Sequence, residues 1–287
     1  MASLRDIRRK IASVKNTQQI TKAMKMVAAA KLRRAQDRIG QIRPYAEALS
    51  EMLSNVASKV EPGLNEFLAE KGDKRICYVV ISADRGFCGS FNANVIKSAE
   101  VAIERDRAAG KEVHLITAGK KVFDHFRRRG FEIDFDLIGF FNSLQFEHAL
   151  ALANRAAYGF SNGEYDQVHL IYTHAESPAK QHVVTDQLLP IKPAETEESN
   201  FNYDYIFEPS ANEILNELCP KTVNISIWKA LAISYFGEEG ARMIAMDNAT
   251  ENAQEMINGL TLTYNKARQA AITTEILEIV GGAEALK

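Results

Sequence analysis

The chain has 287 residues, 46% of them hydrophobic and 25% charged, with a formal net charge of −2. That composition belongs to a soluble globular protein and excludes a disordered chain or a collagen-like fibre. No run of 18 apolar residues occurs, and the start Met1-Ala2-Ser3-Leu4-Arg5 enters a charged heptad directly, so neither a membrane-crossing helix nor an export signal is expected.

Residues 1–60 carry a heptad seam. Stepping by three and four gives Leu4, Ile7, Ile11, Val14, Gln18, Thr21, Lys25, Ala28, Leu32, Ala35, Ile39, Ile42, Ala46, Leu49, Leu53, Val56 and Val60, and 14 of these 17 positions are apolar. One helix of that length spans about 85 Å, too long to lie inside a small domain, so it needs a second long helix as partner. Gln18, Thr21 and Lys25 interrupt the seam, which predicts either that the helices part there or that a functional contact forms. Pro44 removes one backbone donor, but Ala46 and Leu49 resume the seam, so a bend is predicted in place of a stop. The charge is lopsided as well: residues 1–43 hold twelve Lys/Arg against two Asp. Nucleic acid, an anionic membrane surface, an acidic protein partner or plain solvent are the alternatives for that basic face.

In the middle the period changes. Lys74 to Ser82 reads as a buried strand ending in the turn Ala83-Asp84-Arg85-Gly86-Phe87-Cys88-Gly89-Ser90, followed by a helix over 91–107 and a strand over 112–117. Next come a helix over 120–129, a strand over 131–137, a helix over 144–160 and a strand over 167–172. Strands alternating with helices predict a Rossmann-like open α/β domain over 74–206 with a mostly parallel sheet, and 182–189 is expected as an antiparallel edge. Asp134 and Asp136 read as two solvated carboxylates. Residues 190–217 hold seven acidic residues against Lys192 alone.

A second seam begins in the segment 210–287: Ile225, Lys229, Ala232, Phe236, Glu239, Met243, Met246, Thr250, Ala253, Ile257, Leu260, Tyr264, Ala267 and Ala271, 11 of 14 apolar. A 3.5-residue repeat imposes a left-handed supercoil, so the two terminal segments are predicted to pair, and an inserted domain with neighbouring ends makes the pairing antiparallel. Because the first seam starts only at Leu4, part of the later stripe Ile272, Ile276, Ile279, Ala283 and Leu286 should face another protein.

Catalytic and cofactor motifs are missing from the sequence. The turn after the first strand does not have the GxGxxG spacing that brings backbone amides to a pyrophosphate, and Ala118-Gly119-Lys120-Lys121 lacks the leading glycine and the hydroxyl of a phosphate loop. None of the six histidines has HExxH spacing, and no serine sits in GxSxG. Cys77, Cys88 and Cys219 are odd in number and without CxxC spacing, which predicts reduced, buried thiols and no zinc site. No cofactor or metal is therefore expected.

Three segments carry a family resemblance along the chain: Ile20-Thr21-Lys22-Ala23-Met24-Lys25-Met26-Val27-Ala28, Ser82-Ala83-Asp84-Arg85-Gly86-Phe87-Cys88-Gly89, and Ile272-Thr273-Thr274-Glu275-Ile276-Leu277-Glu278-Ile279-Val280-Gly281-Gly282-Ala283. Together they resemble the gamma subunit of F-type ATP synthases. The resemblance implies a non-catalytic rotor whose coiled coil inserts into the hexamer of alpha and beta subunits and whose globular end joins epsilon and the membrane ring of c subunits. It implies contacts with beta at or near Met24, Arg85, Cys88, Arg242, Arg268, Gln269, Thr273, Glu275 and Glu278, with Arg268 and Gln269 similar to the family's polar catch. It gives the cations Lys22, Lys25, Arg33 and Arg34 an acidic lever of beta as partner, and it places Tyr205 and Glu208 by epsilon and the ring. The alternative for Glu275 and Glu278 is a network with Arg268 or Gln269 inside the shaft. The absence of a regulatory cysteine pair and of a transit sequence favours a bacterial protein, peripheral on the cytoplasmic face of the inner membrane, coupled to protons or sodium. A nucleic-acid-binding coiled coil is the rival reading, but no stacking aromatic precedes Tyr45.

Overall fold

A computed structural model describes residues 3–60, 63, 65–193, 208 and 210–284. Its elements in chain order are α1 (Leu4–Ala57), β1 (Arg75–Ile81), α2 (Phe91–Ala108), β2 (Glu112–Ala118), α3 (Lys120–Arg128), β3 (Phe135–Leu137), α4 (Phe146–Ser161), β4 (Gln167–Ala175), β5 (Gln181–Leu189) and α5 (Ala211–Glu284). Two compact units divide the chain: Met1–Ala29 with Met243–Lys287, and Ala30–Arg242.

The first unit is a pair of helical segments from α1 and α5. Ser3 opens α1 by accepting from the amide of Asp6 and donating its hydroxyl to the Asp6 carboxylate, which satisfies an N-terminal donor and places a negative charge in the first turn. The segments run antiparallel, since partners of rising number in α1 fall in α5. Arg8 donates to the Tyr264 hydroxyl at 2.6 Å, Gln18 to Gln254 at 2.9 Å, the Thr21 and Thr250 hydroxyls meet at 2.8 Å, and Lys25 reaches Asp247 at 2.5 Å. The three polar residues that interrupt the first seam are therefore matched across the pair, and they fix its register. Between them Ile7 and Ala28 of α1 and Met246, Ala253 and Ile257 of α5 are buried.

The second unit is built on a five-stranded sheet in the order β3-β2-β1-β4-β5. β1 pairs in parallel with β2 and β4, β2 pairs in parallel with β3, and β5 runs antiparallel to β4 at the edge. Alternate residues of β1 serve opposite faces, which explains its continuous apolar run. Ile76, Tyr78 and Val80 pack with Val95, Ala99 and Ile103 of α2 and Val122 and Phe126 of α3. Cys77, Val79 and Ile81 pack on the other side with Leu152, Ala156 and Phe160 of α4, Leu49, Leu53 and Val56 of α1, and Leu215, Val223, Ile227 and Leu231 of α5.

Several expectations need correction. β3 begins at Phe135, four residues late, because the Phe131 ring turns back edge-on to Phe126 and under the Arg107 guanidinium. α4 begins at Phe146, after a short 3-10 turn at Phe141–Ser143; Gln145 caps it together with the His148 side chain. Lys229, assigned to the second seam, is exposed. There α5 packs on a sheet as well as on a helix, so Ile227, Ala230 and Leu231 turn inward and the heptad frame of the helix pair no longer applies. Both long helices continue through an internal proline, Pro44 in α1 and Pro220 in α5.

Candidate functional site: the loop after β1 and the end of α5

The turn after β1 sits where β1 and β2 both end, and three side chains fix its path. Asp84 accepts backbone amides from three positions: Lys120 at 3.0 Å, Gly139 at 2.8 Å and Phe141 at 3.2 Å. Asn92, in the first turn of α2, accepts the Ala83 amide and donates to the Arg85 carbonyl and the Cys88 sulfur. Arg242 of α5 donates to the Gly86 carbonyl at 3.3 Å. Beneath the turn lies Gly119, whose φ is 103°; a Cβ there would meet the Ser82 carbonyl oxygen at 2.0 Å, so only glycine lets the two chain segments approach. Held this way, the turn presents Phe87 at φ 61° with 75% of its surface exposed. A left-handed aromatic residue pushed into solvent is a conformation that persists only when its surroundings impose it.

Arg242 is also the centre of a buried ionic cluster. Its two terminal nitrogens reach Glu238 at 2.5 Å and Glu239 at 2.9 Å, and Lys31 of α1 reaches the same Glu239 oxygen at 3.3 Å. Both glutamates are almost fully buried, and the second oxygen of each has no hydrogen-bond partner among the described residues. Burial pushes the Glu238 carboxyl up to about 7; the Arg242 guanidinium opposes this, while Glu239 and Asp84 add to it. Burial likewise raises the Cys88 thiol.

The expected contact residues thus fall into two kinds. In this unit Arg85 is exposed, whereas Cys88 and Arg242 are buried and shape the turn from beneath. In the helix pair Met24 is half-buried, and Arg268, Gln269, Thr273, Glu275 and Glu278 are all exposed. No ion pair joins Glu275 or Glu278 to Arg268 among the described residues, and the Thr273 hydroxyl bonds back to the Gln269 carbonyl. The seam ends at Ala271; beyond it Ile272, Ile276, Leu277, Ile279 and Val280 are between 47% and 72% exposed. Glu208 is exposed, while Tyr205 and Leu286 lie outside the described residues. Of the cations on α1, Lys22, Arg33 and Arg34 are exposed and Lys25 is paired with Asp247.

The three cysteines are free and buried. Asp136 is exposed, but Asp134 is not the solvated carboxylate expected: it accepts the Tyr165 hydroxyl at 2.6 Å, lies 3.0 Å from His114 Nδ1, and faces Arg155, which pairs with Glu164. Glu238, Glu239, Asp84 and Asn92 were missed by sequence reasoning. The available signal was the spacing of Glu238 and Glu239 four and three residues before Arg242 inside an apolar stretch.

The chain, with an antiparallel helix pair in one unit and a mixed five-stranded sheet in the other, matches a protein-family model described as ATP synthase over residues 3–286. The chain belongs to the ATP synthase gamma chain family. It is 48% identical to the ATP synthase gamma chain of Cytophaga hutchinsonii, 44% to that of Chloroherpeton thalassium and 45% to that of Geobacter metallireducens; each alignment covers all of this chain and at least 99% of the relative. Among solved structures it resembles a chain of the central stalk/c-ring of the Tetrahymena thermophila mitochondrial ATP synthase, 26% identical, with TM-score 0.61, covering 80% of this chain and 99% of that one. A chain of the Euglena gracilis mitochondrial ATP synthase, 19% identical with TM-score 0.73 over 99% of this chain and 94% of that one, shares the fold. As a gamma chain it is the central-stalk rotor subunit of an F-type ATP synthase and is itself non-catalytic.

Proposed function

We propose that the chain transmits torque between a membrane ring of c subunits and a catalytic alpha/beta hexamer, so that ion flow, of protons or sodium, drives ATP synthesis. The observation that carries this reading is the helix pair with polar register pairs inside and an end of α5, from Ile272 onward, that leaves its partner helix and exposes apolar side chains flanked by Glu275 and Glu278. A paired rod resists twisting, and an end without a partner helix is free to seat in a sleeve. In this reading Met24, Arg85, Arg268, Gln269, Thr273, Glu275 and Glu278 touch beta, with Cys88 and Arg242 supporting that contact from beneath. Lys22, Arg33 and Arg34 meet an acidic lever, and Tyr205 and Glu208 lie by epsilon and the ring. Exposed ion pairs contribute at most about 1 kcal/mol each, which suits contacts that form and release at every step. The forked Arg268 donor suits a carboxylate or carbonyl better than a lysine does.

Rotation would then bias three equivalent beta sites by presenting a different face to each, a differential contact free energy that shifts their populations. No helix among the described residues is long and apolar enough to cross a membrane. In this reading its place is peripheral, on the cytoplasmic face of a bacterial inner membrane, through the assembled complex. Co-expression with the alpha and beta chains of the same organism tests the assignment: a stoichiometric complex is expected, and a chain that purifies alone from all of them overturns it. The contact assignment is tested by replacing Arg268 and Gln269 together with alanine. Coupled ATP turnover should fall with helical circular dichroism unchanged, and a loss of helicity would make those residues structural.

A further inference from the structure

The glutamate pair beneath the turn after β1 has a property that neither packing nor partner contact requires. Two carboxylates four and three residues before one arginine each hold one of its terminal nitrogens inside a buried cluster, and each keeps one oxygen without a partner among the described residues. Glu239 has a second cation in Lys31, whereas among the described residues Glu238 has Arg242 alone. The same Arg242 nitrogen donates one hydrogen to Glu238 at 2.5 Å and the other to the Gly86 carbonyl at 3.3 Å, so its position is set jointly by carboxylate and turn. From the turn, Asp84 and Cys88 face the cluster; on α5 the neighbours are Arg242, Glu239 and Tyr235; on α1 Lys31 completes it, with Arg34 and Arg38 acting on Tyr235.

We propose that Glu238 is a positioning residue whose proton sets how tightly the turn 84–89, with Phe87 at its tip, is held. When Glu238 is ionised it draws that Arg242 nitrogen toward itself, lengthening the bond to Gly86, and repels Asp84, both of which weaken the grip on the turn. When it takes up a proton its pull on Arg242 is reduced, the guanidinium stays anchored by Glu239, the nitrogen settles toward the Gly86 carbonyl, and the repulsion of Asp84 ends. The two effects act in the same direction: the turn is held more firmly on the acid side of neutrality. Burial, which raises the Glu238 carboxyl to about 7, puts the change in the range a cell traverses. The inference rests on the cluster itself and holds whether or not the turn meets a partner.

Two measurements on the full chain test it. In a carbon-13 titration the Glu238 carboxyl should titrate near 7; a midpoint at the ordinary glutamate value of about 4.3 overturns the proposal without any variant. Amide hydrogen exchange, corrected for intrinsic rates, is then followed at Lys120 and Gly139, which donate to Asp84, and at Phe91, which donates to the Cys88 carbonyl. Their protection should fall about fivefold between one unit below and one unit above neutrality, the size of one modest hydrogen bond. Glu238→Gln, a permanently neutral carboxamide, should keep the higher protection at both values. The same pH response in wild type and Glu238→Gln, or no response in wild type, refutes the latch. Arg242→Lys, which keeps the charge and loses the fork, serves where Glu238→Gln folds poorly: it should shrink the response to the part carried by Asp84, and an undiminished response counts against the proposal.

Discussion

Glu238 is a carboxylate buried beneath the turn after β1 and ion-paired to Arg242. Its carboxyl is raised from 4.5 to about 7 by burial in the first place. A carboxyl raised on folding adds stability that is complete below the unfolded value and is lost as pH climbs through the folded one. Relative to Glu238→Gln, wild type should therefore lose on the order of 3 kcal/mol of unfolding free energy between pH 4.5 and 7, and nothing further above that. Urea unfolding of both proteins across that window checks it, and parallel curves would place the ionisation elsewhere. The spacing of Glu238 and Arg242 inside an apolar stretch marks the pair in the sequence but leaves its burial open, because glutamate before arginine on a helix is usually a solvated pair. What removes the solvent is a turn more than 150 residues away in the chain, and a contact of that separation has no local signature. Asp134 was missed for the same reason: its partners Tyr165 and Arg155 come from segments that periodicity treats separately.

Among the elements, legibility followed period and length. The two seams were readable because an apolar residue every three or four positions over more than twelve turns has only one economical explanation, and all 17 positions of the first seam are buried or half-buried. The short strand β3 was overextended because a three-residue parallel edge has too few positions to display alternation. Two predictions belong at this scale. Thr21→Val and Thr250→Val each leave one hydroxyl without its cross-helix partner, and the double variant removes both. A thermal double-mutant cycle should return a coupling of about 0.5–1 kcal/mol, and zero coupling would mean the pair does not set register. Gly119→Ala should cost about 3 kcal/mol or more, measured by chemical denaturation, because the new Cβ meets backbone oxygen with no side chain to yield. A mild effect there would show that β1 and β2 can separate at their ends.

For the whole molecule the rotary reading makes a mechanical demand. Fusing or cross-linking α5 near Arg268 to a beta subunit should stop coupled multi-site ATP turnover, and undiminished turnover in such a complex would refute torque transmission by this chain. The same end of α5 carries a separate liability. Ile272, Ile276, Leu277, Ile279 and Val280 stand open to solvent within three helical turns, a density of greasy side chains that soluble monomers avoid. Produced without its assembly mates, the chain should be prone to self-association and precipitation, and to proteolysis from that end. Cells that make it in excess would then accumulate inclusion bodies or degradation products, so its synthesis has to be balanced against that of the other subunits.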